Sequence, residues 1–276
     1  MKPHFHCILP GLLLIACEAF SQMYSFDYDV SYSTLGTANI EVTYKLEWVA
    51  DSADCSARLT DIVKLHSGGL ISKSFSSLIS SNDSVCTALI ADGAQNVPAE
   101  PPGAIAIEVY KFFDRAELMV KNRVDNVVYK YVEDMPVLKW AIHAEKEQFN
   151  GYQCQKATTV FRGRTYEAWF TPDIPVSDGP WKFSGLPGLI LEVHDSKNHY
   201  LFSCIGIRKV NVPIETCNRK FTLTTREKLN EMLRRKFSNL TSYYAAIGVT
   251  YARKIDGKIV FSPADSSLPY NPIELE

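Results

Sequence analysis

Val127-Val128-Tyr129-Lys130-Tyr131-Val132, followed by Lys139-Trp140-Ala141-Ile142-His143, sets the texture from which the fold is read. β-Branched and aromatic side chains dominate both runs, and such residues suit a pleated, half-buried surface. Working outward, similar runs recur at about 105–113, 116–122, 126–133, 137–147, 152–161, 163–170, 188–194 and 199–208. Tight turns are marked by Gly151 and by Gly163 within Phe161-Arg162-Gly163-Arg164. Successive strands with short turns predict an antiparallel meander.

Further upstream, Tyr24, Phe26, Tyr28, Val30 and Tyr32 alternate with Ser25, Asp27, Asp29, Ser31 and Ser33, the period of a half-buried strand. A second strand is expected at about 40–49 (Ile40, Val42, Tyr44, Leu46, Trp48) and a third at about 58–66, broken by Gly68-Gly69. Residues 75–91 place Phe75, Leu78, Ile79, Val85, Leu89 and Ile90 at helical spacing, predicting a short helix interrupted at Asn82-Asp83. Pro98, Pro101 and Pro102 cannot continue a ladder, so 92–104 reads as a surface loop or a seam between two halves. Downstream, Thr224 and Glu227 have capping-box spacing, and Leu229, Met232, Leu233, Phe237, Leu240, Tyr244 and Ile247 recur at the 3.6 period. One amphipathic helix over about 224–247 is expected, ended by Gly248 and followed by a hairpin turning at Ile255-Asp256-Gly257-Lys258. The fold class expected is mainly β (α+β): a large curved antiparallel sheet or half-barrel packed against one amphipathic C-terminal helix. The alternative is two smaller β layers joined near 92–104.

With 276 residues, 46% of them hydrophobic, the chain can bury a sizeable core. A formal charge of −2 leaves no basic excess to neutralise phosphates, which argues against a nucleic-acid partner. The first residues carry a different message. After Lys2, an apolar stretch from Ile8 to Ala16 is too short for a bilayer span, which needs about 20 residues, and reads as the core of a signal peptide over 1–21. The domain proper would be 22–276. Ala19-Phe20-Ser21 before Gln22 suits ordinary cleavage, whereas Leu14-Ile15-Ala16-Cys17 suits lipidation and a lipid anchor at Cys17. Either route predicts an exported protein, periplasmic or associated with the outer membrane. Export favours paired cysteines, yet Cys55, Cys86, Cys154, Cys204 and Cys217 are odd in number. Cys204 with Cys217 and Cys55 with Cys86 are the sequence-near pairings, though spacing alone does not set connectivity.

Leu186-Pro187-Gly188-Leu189 has the composition of a type II turn, with proline at its second corner and glycine at its third. It follows a long crossing, Asp173 to Phe183, punctuated by Pro175, Gly179 and Pro180 and ending in Trp181-Lys182-Phe183. Here the sequence resembles the GLPGLI family of Bacteroidetes exported proteins. The likeness runs through Gly151-Tyr152-Gln153-Cys154, Phe161-Arg162-Gly163-Arg164, Ala168-Trp169-Phe170, Asp173-Ile174-Pro175 and Gly179-Pro180-Trp181-Lys182-Phe183 to Gly185-Leu186-Pro187-Gly188-Leu189-Ile190. Asn271-Pro272-Ile273-Glu274-Leu275 resembles the family's closing motif. The resemblance implies an envelope location and a source in that phylum, and it brings no activity or ligand with it.

Two readings of 171–192 compete. In one, Trp181, Pro187 and Gly188 cap a sheet and fix a turn. In the other, the segment is a lid on an apolar pocket, with Trp169, Trp181, Leu186, Pro187 and Gly188 touching ligand and Arg164 and Lys182 meeting its polar end. His194 and His199 flank four residues and would face each other across a hairpin, two ligands of a metal site with no third in view. Cys154, His194 and Asp195 can be drawn as a triad only from the linear order, and no nucleophile elbow, zinc helix or phosphate loop is present, so no catalytic residue and no cofactor are assigned. Asp51-Ser52-Ala53 and Asp83-Ser84-Val85 fit a short O-glycosylation pattern. The function expected is a non-catalytic binding or carrier protein for an apolar or peptide-like ligand. The alternatives are an accessory subunit docking on an outer-membrane transporter and an uncharacterised hydrolase.

Overall fold

The computed structural model describes residues 31–94, 96–255 and 258–276. The expected signal peptide, Cys17 and most of the Tyr24–Ser33 alternation lie outside these residues, as do the hairpin-tip residues Asp256 and Gly257.

The first meander comprises β1 (Tyr32–Val49), β2 (Arg58–Ser67), β3 (Ile71–Ser76), β4 (Ile107–Phe112), β5 (Glu117–Val124) and β6 (Val127–Asp134), with helix α1 (Ser77–Ala91) between β3 and β4. The second comprises β7 (Ala141–Phe149), β8 (Tyr152–Phe161), β9 (Arg164–Thr171), β10 (Leu189–Asp195) and β11 (Tyr200–Cys217). β1 and β11 pair antiparallel from Tyr32↔Cys217 to Trp48↔Tyr200 and fuse the two meanders into one open, curved sheet of 12 strands. β12 (Thr222–Leu223) adds a parallel pair at the β6 edge, so the sheet is mixed rather than wholly antiparallel. β6 and β7 lie toward opposite ends of the order, and the link 135–140 between them packs Met135, Leu138 and Trp140 against the core. Alternate positions build the core on that face: Val42, Tyr44 and Leu46 of β1, Val63 and Leu65 of β2, Tyr166, Ala168 and Phe170 of β9, Tyr200 and Phe202 of β11.

Several expectations are corrected. The helix over 224–247 is two helices, α2 (Arg226–Ser238) and α3 (Leu240–Ala246), because Asn239 takes extended backbone (φ −160°) and its side chain caps α3 by accepting from Ser242 N–H. Thr225, not Thr224, caps α2, since the Thr224 amide donates to Lys130 O and continues the pairing of β12 with β6. α1 runs unbroken through Asn82-Asp83, with Asp83 bound by Arg123 (2.9 Å). β3 escapes the sequence reading because its inward side chains are Ser72, Ser74 and Ser76 rather than apolar ones. β3 and β4, which flank α1 and the Pro-rich loop in sequence, pair directly. A separate two-stranded sheet, β13 (Ala252–Ile255) with β14 (Lys258–Phe261), forms the expected hairpin.

Neither expected disulfide is present. Cys204 and Cys217 lie on one strand, roughly 40 Å apart along it at ~3.3 Å per residue, far beyond bonding reach. Cys55 sits in the exposed β1–β2 turn, while Cys86 is buried in α1.

Candidate functional site

The inner face of the first meander is not filled by the chain. A cavity of about 620 Å³ lies between it and a roof made of α2, α3 and residues 268–274. Its sheet wall carries Leu46, Trp48, Val63, Val109, Val120 and Phe202; the roof carries Leu229, Leu233, Phe237, Leu240, Tyr244 and Tyr270. Ile105 and Ile107 close one side and Trp181 another. The roof follows from the helical period: Leu229 and Leu233 share one face of α2, Leu240 and Tyr244 one face of α3, and both pairs line the cavity. The size is that of a pocket for a small organic molecule.

Charged groups in this wall are held by the chain itself. Asp61 is wholly buried, and its carboxylate accepts from Ser76 Oγ (2.7 Å), Ile62 N–H (2.7 Å) and Ile105 N–H (2.9 Å). Burial raises its pKa, and the same cause raises that of Glu100 beside Arg123 (2.7 Å). Lys236 is bound to Asp125 (2.5 Å), which also accepts from Tyr244 OH (2.8 Å).

The crossing 172–188 packs against the inner face of β8–β10. Phe183 is its hub, 4.8 Å from the Tyr166 ring, 5.2 Å from Trp181 and 6.4 Å from Phe202. The crossing is pinned from across the sheet by Lys111, wholly buried, whose ammonium donates to Asp178 Oδ1 (2.5 Å), Gly179 O (2.6 Å) and Phe183 O (2.9 Å). Burial lowers the Lys111 pKa, opposed by the Asp178 carboxylate. Trp181 N–H donates to Ser74 Oγ (2.9 Å), so the serines of β3 leave room for the crossing and bind it. The expected type II turn is a tighter turn, Gly188 N–H donating to Leu186 O (2.8 Å) around Pro187. Its reason is close approach: a Cβ at Gly188, where φ is +155°, would stand 2.1 Å from Thr171 O.

Residues 159–192 match the family model described as a protein of unknown function, Porph_ging. The matched stretch contains the crossing and the turn just described. Two solved structures of PNGF-II, in the P21 and C2 space groups, are each 15% identical to this chain, with TM-scores of 0.51 and 0.49. They cover 73% of this chain, which spans about a third of theirs (34% and 33%), and the first of them shows a shared fold alone. No curated protein matches.

Of the seven residues singled out for ligand contact, Trp181 lines the cavity. Leu186 and Gly188 are buried inside the crossing, and Pro187 is exposed. Trp169 alternates to the sheet's other face, against Phe149 (5.4 Å). Arg164 and Lys182 do meet a polar group, but it is the chain's own segment 271–275. Arg164 donates to Asn271 Oδ1 (2.7 Å), Pro272 O (2.5 Å) and Ile273 O (3.2 Å) and is paired with Asp195 (3.0 Å). Lys182 binds Glu274 (2.5 Å), Glu133 (2.6 Å) and Tyr131 OH (3.1 Å). The closing motif thus seals one end of the cavity. The signal missed in the sequence was Lys111, a lone cation at an inward position of a strand run.

His194 pairs with Leu201, not with His199, so the two histidines do not face each other. His194 lies 3.9 Å from Glu167, whereas His199 Nδ1 accepts from Arg164 (3.4 Å) and Nε2 faces Cys55 Sγ (3.8 Å). Among the described residues no group of three or more His, Cys, Asp or Glu could hold a metal ion. The drawn triad is not assembled either: His194 and Asp195 are successive strand residues on opposite faces, and burial pushes the Cys154 thiol up to about 11.

Proposed function

We propose that this chain is an exported GLPGLI-type envelope protein that binds an apolar ligand in the cavity between the first meander and α2–α3, as a binding or carrier protein rather than an enzyme. The observation that carries this reading is the cavity itself: about 620 Å³, walled mainly by aliphatic and aromatic side chains. An unfilled apolar space of that size forfeits the contacts that stabilise an interior, and a ligand restores them. Export is supported by the apolar stretch Ile8–Ala16 and the small residues Ala19 and Ser21 before Gln22. The GLPGLI assignment is supported by the family match over 159–192, within which Gly185–Ile190 falls. No helix among the described residues is long and apolar enough to cross a membrane.

The test is titration with N-phenyl-1-naphthylamine, an uncharged probe that fluoresces in apolar surroundings. The wild-type protein should bind it saturably, and Val120→Trp, which fills the cavity from the β5 wall, should weaken binding at least tenfold with the unfolding midpoint little changed. No saturable binding, or equal binding by both proteins, would sink the proposal.

A further inference from the structure

We infer that the ligand of this cavity is an uncharged hydrocarbon, a chain or fused-ring compound bearing at most a hydroxyl, and not a fatty acid or an amine. This rests on the reading just proposed and goes further by naming the ligand's chemistry. Six charged side chains border the space: Asp61, Glu100, Arg123, Asp125, Lys236 and Glu274. None is left for a ligand. Arg123 is spent on Asp83 (2.9 Å) and Glu100 (2.7 Å), and Lys236 on Asp125 (2.5 Å). Glu274 is held by Lys182 (2.5 Å), and Asp61 by two backbone amides and a serine hydroxyl.

A carboxylate entering here would find no cation to take its charge. To use Lys236 or Arg123 it would have to strip away an internal partner, leaving that carboxylate buried and unpaired, which costs more than the exchange returns. An ammonium fares no better at Asp61, whose two carboxylate oxygens already accept from two backbone amides and a serine hydroxyl. What the wall does offer is rings and methyl groups, with asparagine amides such as Asn122 and Asn230 able to meet one hydroxyl.

A matched series tests this at pH 8: dodecanol, dodecanoate and dodecylamine, each used to displace bound N-phenyl-1-naphthylamine from the full chain. Dodecanol should displace the probe, and the two charged compounds should need at least tenfold higher concentrations. Asp125→Asn then uncovers Lys236, and dodecanoate alone should gain about tenfold. Displacement by dodecanoate or dodecylamine as strong as by dodecanol overturns the inference while leaving the cavity reading intact, as does failure of dodecanol to displace a probe that binds. An Asp125→Asn variant with no gain for dodecanoate also overturns it. Failure of the probe itself to bind the wild-type protein removes the cavity reading instead.

Discussion

The two meanders of this sheet are covered differently, one mainly by an irregular crossing and the other by helices that leave a cavity. Over β8–β10 the chain returns through 172–188 and covers the face with Trp181, Phe183 and Leu186, all buried. Over β1–β6 the same crossing reaches Ser74 and Lys111, and beyond them the face meets helices. The roof of α2, α3 and 268–274 stands off the sheet and leaves about 620 Å³. The difference lies in what is laid on the sheet, not in the sheet. A segment punctuated by Pro and Gly can press its backbone close, whereas a helix holds its axis about 10 Å from a sheet and fills the gap only as far as its side chains reach.

The comparison can be broken most severely at Gly188. Gly188→Ala should cost about 4 kcal/mol or more, or abolish folding, because a Cβ 2.1 Å from Thr171 O forces the crossing off the sheet. Soluble yield and urea unfolding measure it; near-native stability would show that the crossing is loosely seated. Next in size is a paired truncation. Phe183→Ala in the crossing should cost about 3–5 kcal/mol, and Leu233→Ala beside the cavity about 1 kcal/mol, since Leu233 already borders empty space. Equal losses in urea unfolding would mean that the cavity collapses in solution. The smallest effect is electrostatic and sits where the halves join. Glu41 of β1 is bound by Arg208 of β11 (2.8 Å) and His66 of β2 (2.9 Å), which with Lys64 hold its carboxyl down at about 2 despite its burial. A depressed folded-state pKa contributes stability that is present above the unfolded value of 4.5 and lost as pH falls toward 2. With Arg208 65% exposed, solvent screening limits that share to about 1–2 kcal/mol. Glu41→Gln should therefore be less stable than wild type at pH 6 and equal to it near pH 2; an unchanged gap across that range would rule the linkage out.

Much of the sheet was legible because its signal is local. Alternation in Ile40–Trp48 and the β-branched run at Val127–Val132 mark strands whatever their neighbours are. The helical stripe from Leu229 to Ile247 was legible too, but not its break. Leu240 and Tyr244 keep the period across Asn239, and only the cap geometry shows that one helix ends and another begins. The candidate site was legible in composition and not in place. Arg164 and Lys182 stood out as charges in an apolar segment, yet their partners lie about a hundred residues away, in 271–274. His194 and His199 were separated by a register that spacing cannot reveal.

By itself the sequence determined the β-rich class, the turn points and the stiffness of the crossing, because backbone propensity, side-chain period and the special geometry of Pro and Gly act within a few residues. Only the tertiary structure decided which strands meet, that β1 and β11 join the two halves, and that the helices leave a cavity over the first meander. Those outcomes depend on where segments distant in sequence come to rest against one another.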